Sequence, residues 1–202
     1  MKTRCAWCLS SPLMQTYHDN EWGRPVHDDK ILFEFLVLES AQAGLSWSTV
    51  LNKRENYREA FHNFDYKKIA KYAEKDVERL LDNAGIIRNR LKILATITNA
   101  QKFIDVQKEF GSFSKYMWSF VNHKPIVNKI KSIKDTSRTS GSAVPANVWR
   151  SLGIKATSKE SDAFSKDLKA RGFKFMGSTI VYAHMQAVGM VDDHEMDCFC
   201  RR

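Results

Sequence analysis

The chain has 202 residues, 43% of them hydrophobic, which is enough for one domain with a sizeable core and too apolar for disorder as the main state. Lysine and arginine outnumber aspartate and glutamate by 32 to 23, so the formal charge is +9, which favours a polyanionic partner or an acidic membrane surface. No 18-residue apolar run and no signal-peptide core are present, so neither a membrane span nor export is expected and a cytoplasmic protein is.

Residues 1–27 show little regular pattern but concentrate Cys5, Trp7, Cys8, Tyr17, His18, Trp22 and His27, a segment that must be tied down. Asp28 can cap a helix from about Asp29 to Ala43, with Gly44 as its stop. At helical period Leu32, Phe35, Leu36, Glu39 and Ala43 share one face, and Glu34 lies on the other side. Glu39 is thus a carboxylate within an apolar stripe, where desolvation costs on the order of several kcal/mol unless a donor, a cation or a ligand pairs with it. Ser46 can cap the next helix, Trp47 to about Phe61, and Asp65 a short third one.

A fourth helix from Asp76 to Asp82 runs into N-A-G-I-I-R-N-R, and Leu91, Ile93, Leu94, Ile97, Ala100 and Phe103 continue at helical spacing. Two helices joined by a glycine-containing turn are expected there. Phe113 to Val121 reads as an aromatic-rich helix. Residues 129–160 read as an exposed basic loop with one short helix around Ala146 to Leu152. Ser158 or Ser161 can cap a helix through Leu168, and Ser178 opens a last one to Val188. Strand signals are nearly absent, so the expected architecture is all-α.

Three groups of residues bear on chemistry. In the turn, Gly85 permits a tight bend whose N–H groups, beside Arg88, Asn89 and Arg90, can hold a phosphate; an ordinary αα-hairpin fits the stretch equally. At the chain ends, Cys5 and Cys8 have C-x2-C spacing, His194 and Cys198 are four apart, and His18 and Cys200 are further candidates. Spacing leaves open an all-cysteine zinc site, a mixed cysteine and histidine set, or no metal. Finally, Trp7, Tyr17, Trp22 and Trp47 flank Glu39 in sequence; they are either core residues or a box for a flat cationic ligand. A Walker loop, a dinucleotide fingerprint and a G-x-S elbow are absent.

Long motifs then become recognisable: Y-H-D-N-E-W-G at Tyr17 to Gly23, L-E-S-A-Q-A-G-L-S-W at Leu38 to Trp47, K-R-E-N-Y at Lys53 to Tyr57, N-A-G-I-I-R-N-R at Asn83 to Arg90, W-S-F-V-N-H-K-P at Trp118 to Pro125, S-K-D-L-K-x-R-G-F-K-F at Ser165 to Phe175, and D-H-x-x-x-C at Asp193 to Cys198. With these the chain resembles the bacterial 3-methyladenine DNA glycosylase I family of the helix-hairpin-helix superfamily. The resemblance implies an all-α helix-hairpin-helix glycosylase fold in a single domain over 1–202. It puts the hairpin within about 75–105, and it joins 1–27 to 178–202 through a structural zinc ion.

The resemblance further implies a pocket of Trp7, Tyr17, Trp22 and Trp47 around Glu39 as the catalytic group, and zinc ligands Cys5, His18, His194 and Cys198, leaving Cys8 and Cys200 without a metal role. Gly85, Arg88 and Arg90 would contact double-stranded alkylated DNA, and Gln42 and Leu45 would fill the gap left by a flipped base. The implied enzyme is a monomer that excises 3-methyladenine and leaves an abasic site. The hairpin has no lysine for strand cleavage, and Asp105 is expected to be a surface residue. Two features depart from the family: a longer connection at about Arg138 to Ala156, and His184 where an aromatic residue is usual. The competing readings are a non-catalytic DNA-binding module and a small-molecule aromatic cage.

Overall fold

The computed structural model describes residues 2–131 and 155–202. The described residues form ten α-helices and one short strand pair. The helices are α1 (Pro12–Asn20), α2 (Asp29–Gln42), α3 (Trp47–Asn52), α4 (Arg54–Ala60), α5 (Tyr66–Ile69), α6 (Glu74–Asp82), α7 (Arg90–Phe110), α8 (Phe113–Ser119), α9 (Lys159–Ala170) and α10 (Ser178–Ala187). Strands β1 (Ile126–Val127) and β2 (Val191–Asp192) pair in parallel, and an isolated bridge from Ile130 to Glu195 extends the pairing.

The fold is arranged around α2. Asp28 caps it as expected, its carboxylate accepting from the Lys30 and Ile31 N–H groups at 2.9 and 3.0 Å. Every residue from Leu32 to Ala41 is buried, so that stretch of the helix has no solvent face, and α3, α7, α8 and α10 pack around it. Asp29, in its first turn, accepts from Phe113 N and Ser114 N at 2.9 and 2.8 Å, which satisfies two orphan donors of α8 and holds that helix against α2.

Several expectations are corrected. Residues 12–20 are helical: Ser11 caps the segment by accepting from Met14 N, and Pro12 fits the first position, where no N–H is needed. The helix expected from Trp47 to Phe61 breaks at Lys53 into α3 and α4, and the break turns the Lys53 side chain toward the hairpin. The edges of the expected 129–160 loop belong to regular structure, because Ile130 is buried and bridged to Glu195 and Lys159 begins α9. The short helix at Ala146 to Leu152 and most of the Arg138 to Ala156 connection lie outside the described residues. Among those described, no helix is long and apolar enough to cross a membrane.

Candidate active site and terminal cysteine–histidine cluster

Two glutamates on α2 are buried, with opposite surroundings. Glu34 accepts from Arg54 Nε at 2.6 Å and from Arg58 Nη2 at 2.8 Å, and Arg54 reaches on to Glu21 at 2.9 Å. This network closes a buried charge with good geometry and ties α1 and α2 to α4. Glu39, 4% exposed, has no hydrogen bond or ion pair among the described residues. Burial alone pushes its pKa up to about 8. Burial without a partner therefore favours the protonated carboxyl at neutral pH.

An aromatic series starts at Tyr17, which lies close enough to Glu39 to feel its charge. Tyr17 is buried, and its phenol is held well above its ordinary pKa, first by burial and then by the charge of Glu39. Tyr17 packs on Trp47 at 5.3 Å between ring centroids and on Trp7 at 6.3 Å, and Trp7 meets Trp22 edge-on at 4.9 Å. The indole N–H groups of Trp7 and Trp47 are buried without partners. Each such donor costs roughly 1–3 kcal/mol when left unmade, and two of them on rings packed against Tyr17, which itself feels the unpaired Glu39, fit a polar, flat occupant.

The ring series continues into the chain ends. Trp22 packs on His194 at 4.6 Å, and His18 on His194 at 5.1 Å. Each histidine has a carboxylate at Nδ1, Asp19 at 2.8 Å for His18 and Asp192 at 2.7 Å for His194, leaving Nε2 free to act as a ligand. His194 Nε2 is buried with no partner, and His18 Nε2 lies 3.4 Å from Cys198 Sγ. Cys5 is hydrogen-bonded with Cys198 and accepts from Glu195 N at 3.3 Å. Ligand atoms of His18, His194, Cys198 and Cys200 lie within 4.8 Å of one another, so Cys200 comes closer to this group than its assignment of no metal role implied. Cys200 Sγ, however, approaches His18 from the Nδ1 side, at 4.0 Å. Gly23 makes room for the cluster: its φ is +73°, and a Cβ there would stand 2.5 Å from His194 Cε1.

The hairpin, residues 83–89, forms as expected and is clamped from α3 and α4. Lys53 Nζ donates to Ala84 O and Gly85 O at 3.1 and 3.2 Å, Asn56 Nδ2 donates to Gly85 O at 3.3 Å, and Ile87 N donates to the Tyr57 hydroxyl at 3.2 Å. A Cβ on Gly85 would lie 2.9 Å from Asn83 Oδ1 and 3.0 Å from Asn56 Cβ, so glycine is required here for close approach. Arg88 is exposed; Arg90 is tied to Glu74.

A family model described as methyladenine glycosylase matches residues 7–201. The chain belongs to the methyladenine glycosylase family. It is 49% identical to DNA-3-methyladenine glycosylase 1 of Escherichia coli K12 over 197 residues, covering 98% of this chain and 96% of that one. A crystal structure of 3-methyladenine DNA glycosylase I superposes with a TM-score of 0.87 at 46% identity, covering 99% of this chain and all of that one. A variant of another 3-methyladenine DNA glycosylase I, solved in complex with 3-methyladenine, gives 0.86 at 35% identity, with coverage of 98% and 97%.

Within this family fold, the expected pocket residues Trp7, Tyr17, Trp22, Glu39 and Trp47 come together, and Asp105 stands on the surface, paired with Lys102 and Lys108. Gln42 and Leu45 flank the turn that ends α2, where Leu45 is exposed. His184 is buried on α10, and burial lowers its pKa to about 4 against a smaller opposing pull from the Phe35 backbone, so it is neutral. The reading from sequence missed the roles of Lys53 and Asn56, although K-R-E-N-Y was visible, and the Asp19 and Asp192 partners of the histidines.

Proposed function

We propose that the site of Glu39 and Tyr17 forms the chamber that receives a 3-methyladenine flipped out of duplex DNA, and that the chain hydrolyses its N-glycosidic bond. Family membership makes the chain a DNA-repair glycosylase for 3-methyladenine. The observation that carries the assignment of the site is the unpaired, buried Glu39 carboxyl close to Tyr17, whose ring packs on Trp47 and Trp7.

The substrate nucleoside is cationic, and its base leaves as a neutral molecule when the bond to C1′ breaks. Water supplies the oxygen that joins C1′ and releases a proton, so the products are neutral 3-methyladenine and an abasic site. Such a bond is already weak, and the chain has only to extrude the base, orient it and favour the cation. A cationic base lowers the pKa of Glu39, ionises it and becomes its missing partner, accepting ring faces from Trp47 and Tyr17. The exposed Arg88 side chain on the hairpin holds a backbone phosphate, and Gln42 and Leu45 enter the gap in the duplex. The hairpin contains no lysine, so the abasic strand is left uncut.

A structural zinc ion would be held by Cys5, His18, His194 and Cys198. The donor set fits: His194 Nε2 has no partner, His18 Nε2 faces Cys198 Sγ at 3.4 Å, and Cys5 adjoins Cys198. Cys200 is the weaker candidate because Nδ1 of His18, the atom it approaches, already bonds Asp19.

Incubation with methylated duplex is expected to release 3-methyladenine, detectable by chromatography; retained DNA binding with no released base points instead to a non-catalytic module. Gly85→Ala is expected to weaken duplex binding roughly tenfold by displacing the hairpin. Titration with free 3-methyladenine should give wild-type affinity in that variant, since the chamber is built from other elements.

A further inference from the structure

We propose that Lys92 is a positioning residue for base extrusion, the tie that sets the tip of α2 in register with the DNA-holding hairpin. The inference rests on the reading above of the hairpin and of the Gln42–Leu45 tip.

The end of α2 is a short irregular turn. Ala43 leaves helical geometry with φ −45° and ψ 114°, Gly44 follows with φ +78°, and Leu45 N donates to Gln42 O at 2.6 Å. Carbonyls at a helix C-terminus lack intrahelical partners, and such a turn has several ways to close. Here Lys92 chooses one. Its Nζ donates to Ala41 O at 2.8 Å and to Ala43 O at 2.7 Å, one carbonyl inside the helix and one just beyond it. Its charge also complements the negative end of the helix dipole.

The other end of the tie is the hairpin. Lys92 lies in the first turn of α7, and its backbone N–H donates to Asn89 Oδ1 at 3.1 Å, Asn89 being the cap that closes the hairpin. A continuous path thus runs from the hairpin through Asn89 and Lys92 to Ala41 and Ala43, and so to Gln42 and Leu45. Glu39 lies half a turn before Ala41 on the same helix. Lys92 makes no salt bridge among the described residues, so backbone geometry, not a neighbouring acid, is what its ammonium serves. When the hairpin grips a phosphate, the distance from that phosphate to the tip is set by this tie. An error of about 1 Å at the reacting groups is enough to cost a hundredfold in rate.

The test uses the full chain with Lys92→Met and Lys92→Arg and three measurements. In Lys92→Met, affinity for undamaged duplex and for free 3-methyladenine should stay at the wild-type level, because neither hairpin nor chamber is altered. Single-turnover release of 3-methyladenine from duplex should fall by roughly 10-fold to 100-fold, as a loss in kcat and not in KM. Lys92→Arg, which can still donate to both carbonyls, should recover most of the rate. Unchanged single-turnover release in Lys92→Met overturns the proposal. So does a parallel drop in free-base affinity, thermal midpoint and release, which marks a purely structural residue. Failure of the wild type to release 3-methyladenine is a different result, since it removes the glycosylase reading itself.

Discussion

Replacing Glu39 with glutamine is expected to make the protein more stable and less active at once. Glutamine keeps the shape of the side chain and removes the titratable group. The folded-state pKa of about 8 lies above the ordinary carboxyl value of about 4.3, so the wild-type group favours the folded state fully only below the lower value. That contribution is lost as pH rises through about 8, where the buried carboxylate is charged and unpaired. Glu39→Gln should therefore raise stability by on the order of 3 kcal/mol near neutral pH, with the gain shrinking toward zero as pH falls toward 4. Denaturant unfolding at several pH values measures this. In the same variant kcat/KM should fall by about 100-fold, because no charge can form beside the cationic base. The wild-type profile of kcat/KM should rise with pH through about 8, and the variant should lack that limb. Wild-type release by Glu39→Gln would falsify the assignment of the site.

Loss of the zinc ion proposed above is expected to have the second large effect. A tie between residues near the start of the chain and residues near its end closes a very long loop, and its loss is expected to cost on the order of 3–5 kcal/mol. Cys198→Ser, or chelation of the wild type, should lower the unfolding midpoint accordingly, while Cys200→Ser should keep its metal by elemental analysis. Equal metal loss in both variants would move the fourth ligand to Cys200. His194 and His18 pack directly on Trp22. Loss of the ion should therefore also loosen the Trp7–Trp22 side of the chamber and weaken free 3-methyladenine binding.

The most legible features were those encoded over short distances. α2 could be read from the Asp28 cap and its apolar run, and Glu39 from a single charge on that run. The all-helical class followed from the same periodicities. α1 was hidden because Met14 and Tyr17 turn inward while Leu13 is exposed, too few positions to set a period; the Ser11–Pro12 pair was the only signal. The split between α3 and α4 depends on Lys53 reaching carbonyls 31 and 32 residues away. The burial of Glu34 depends likewise on arginines 20 and 24 residues distant. A strand pair of two residues each leaves no alternation to detect. The pocket residues were named through family likeness, since aromatic side chains at these spacings read equally as core.

The pairing of β1 with β2 bears on the order in which the molecule assembles. The last segment is held by contacts that are remote in sequence: Ile126 with Val191, Ala6 N with Glu195 across 189 residues, and Cys198 with His18 across 180. Closing such spans costs chain entropy before any contact is gained, whereas α2 to α8 can condense from neighbouring helices. The helical body is therefore expected to form first and the C-terminal strap last. Amide hydrogen exchange should be slowest in α2 and α7 and faster around Val191 and His194, so that the side of the chamber made by Trp7 and Trp22 is the last to be completed on folding.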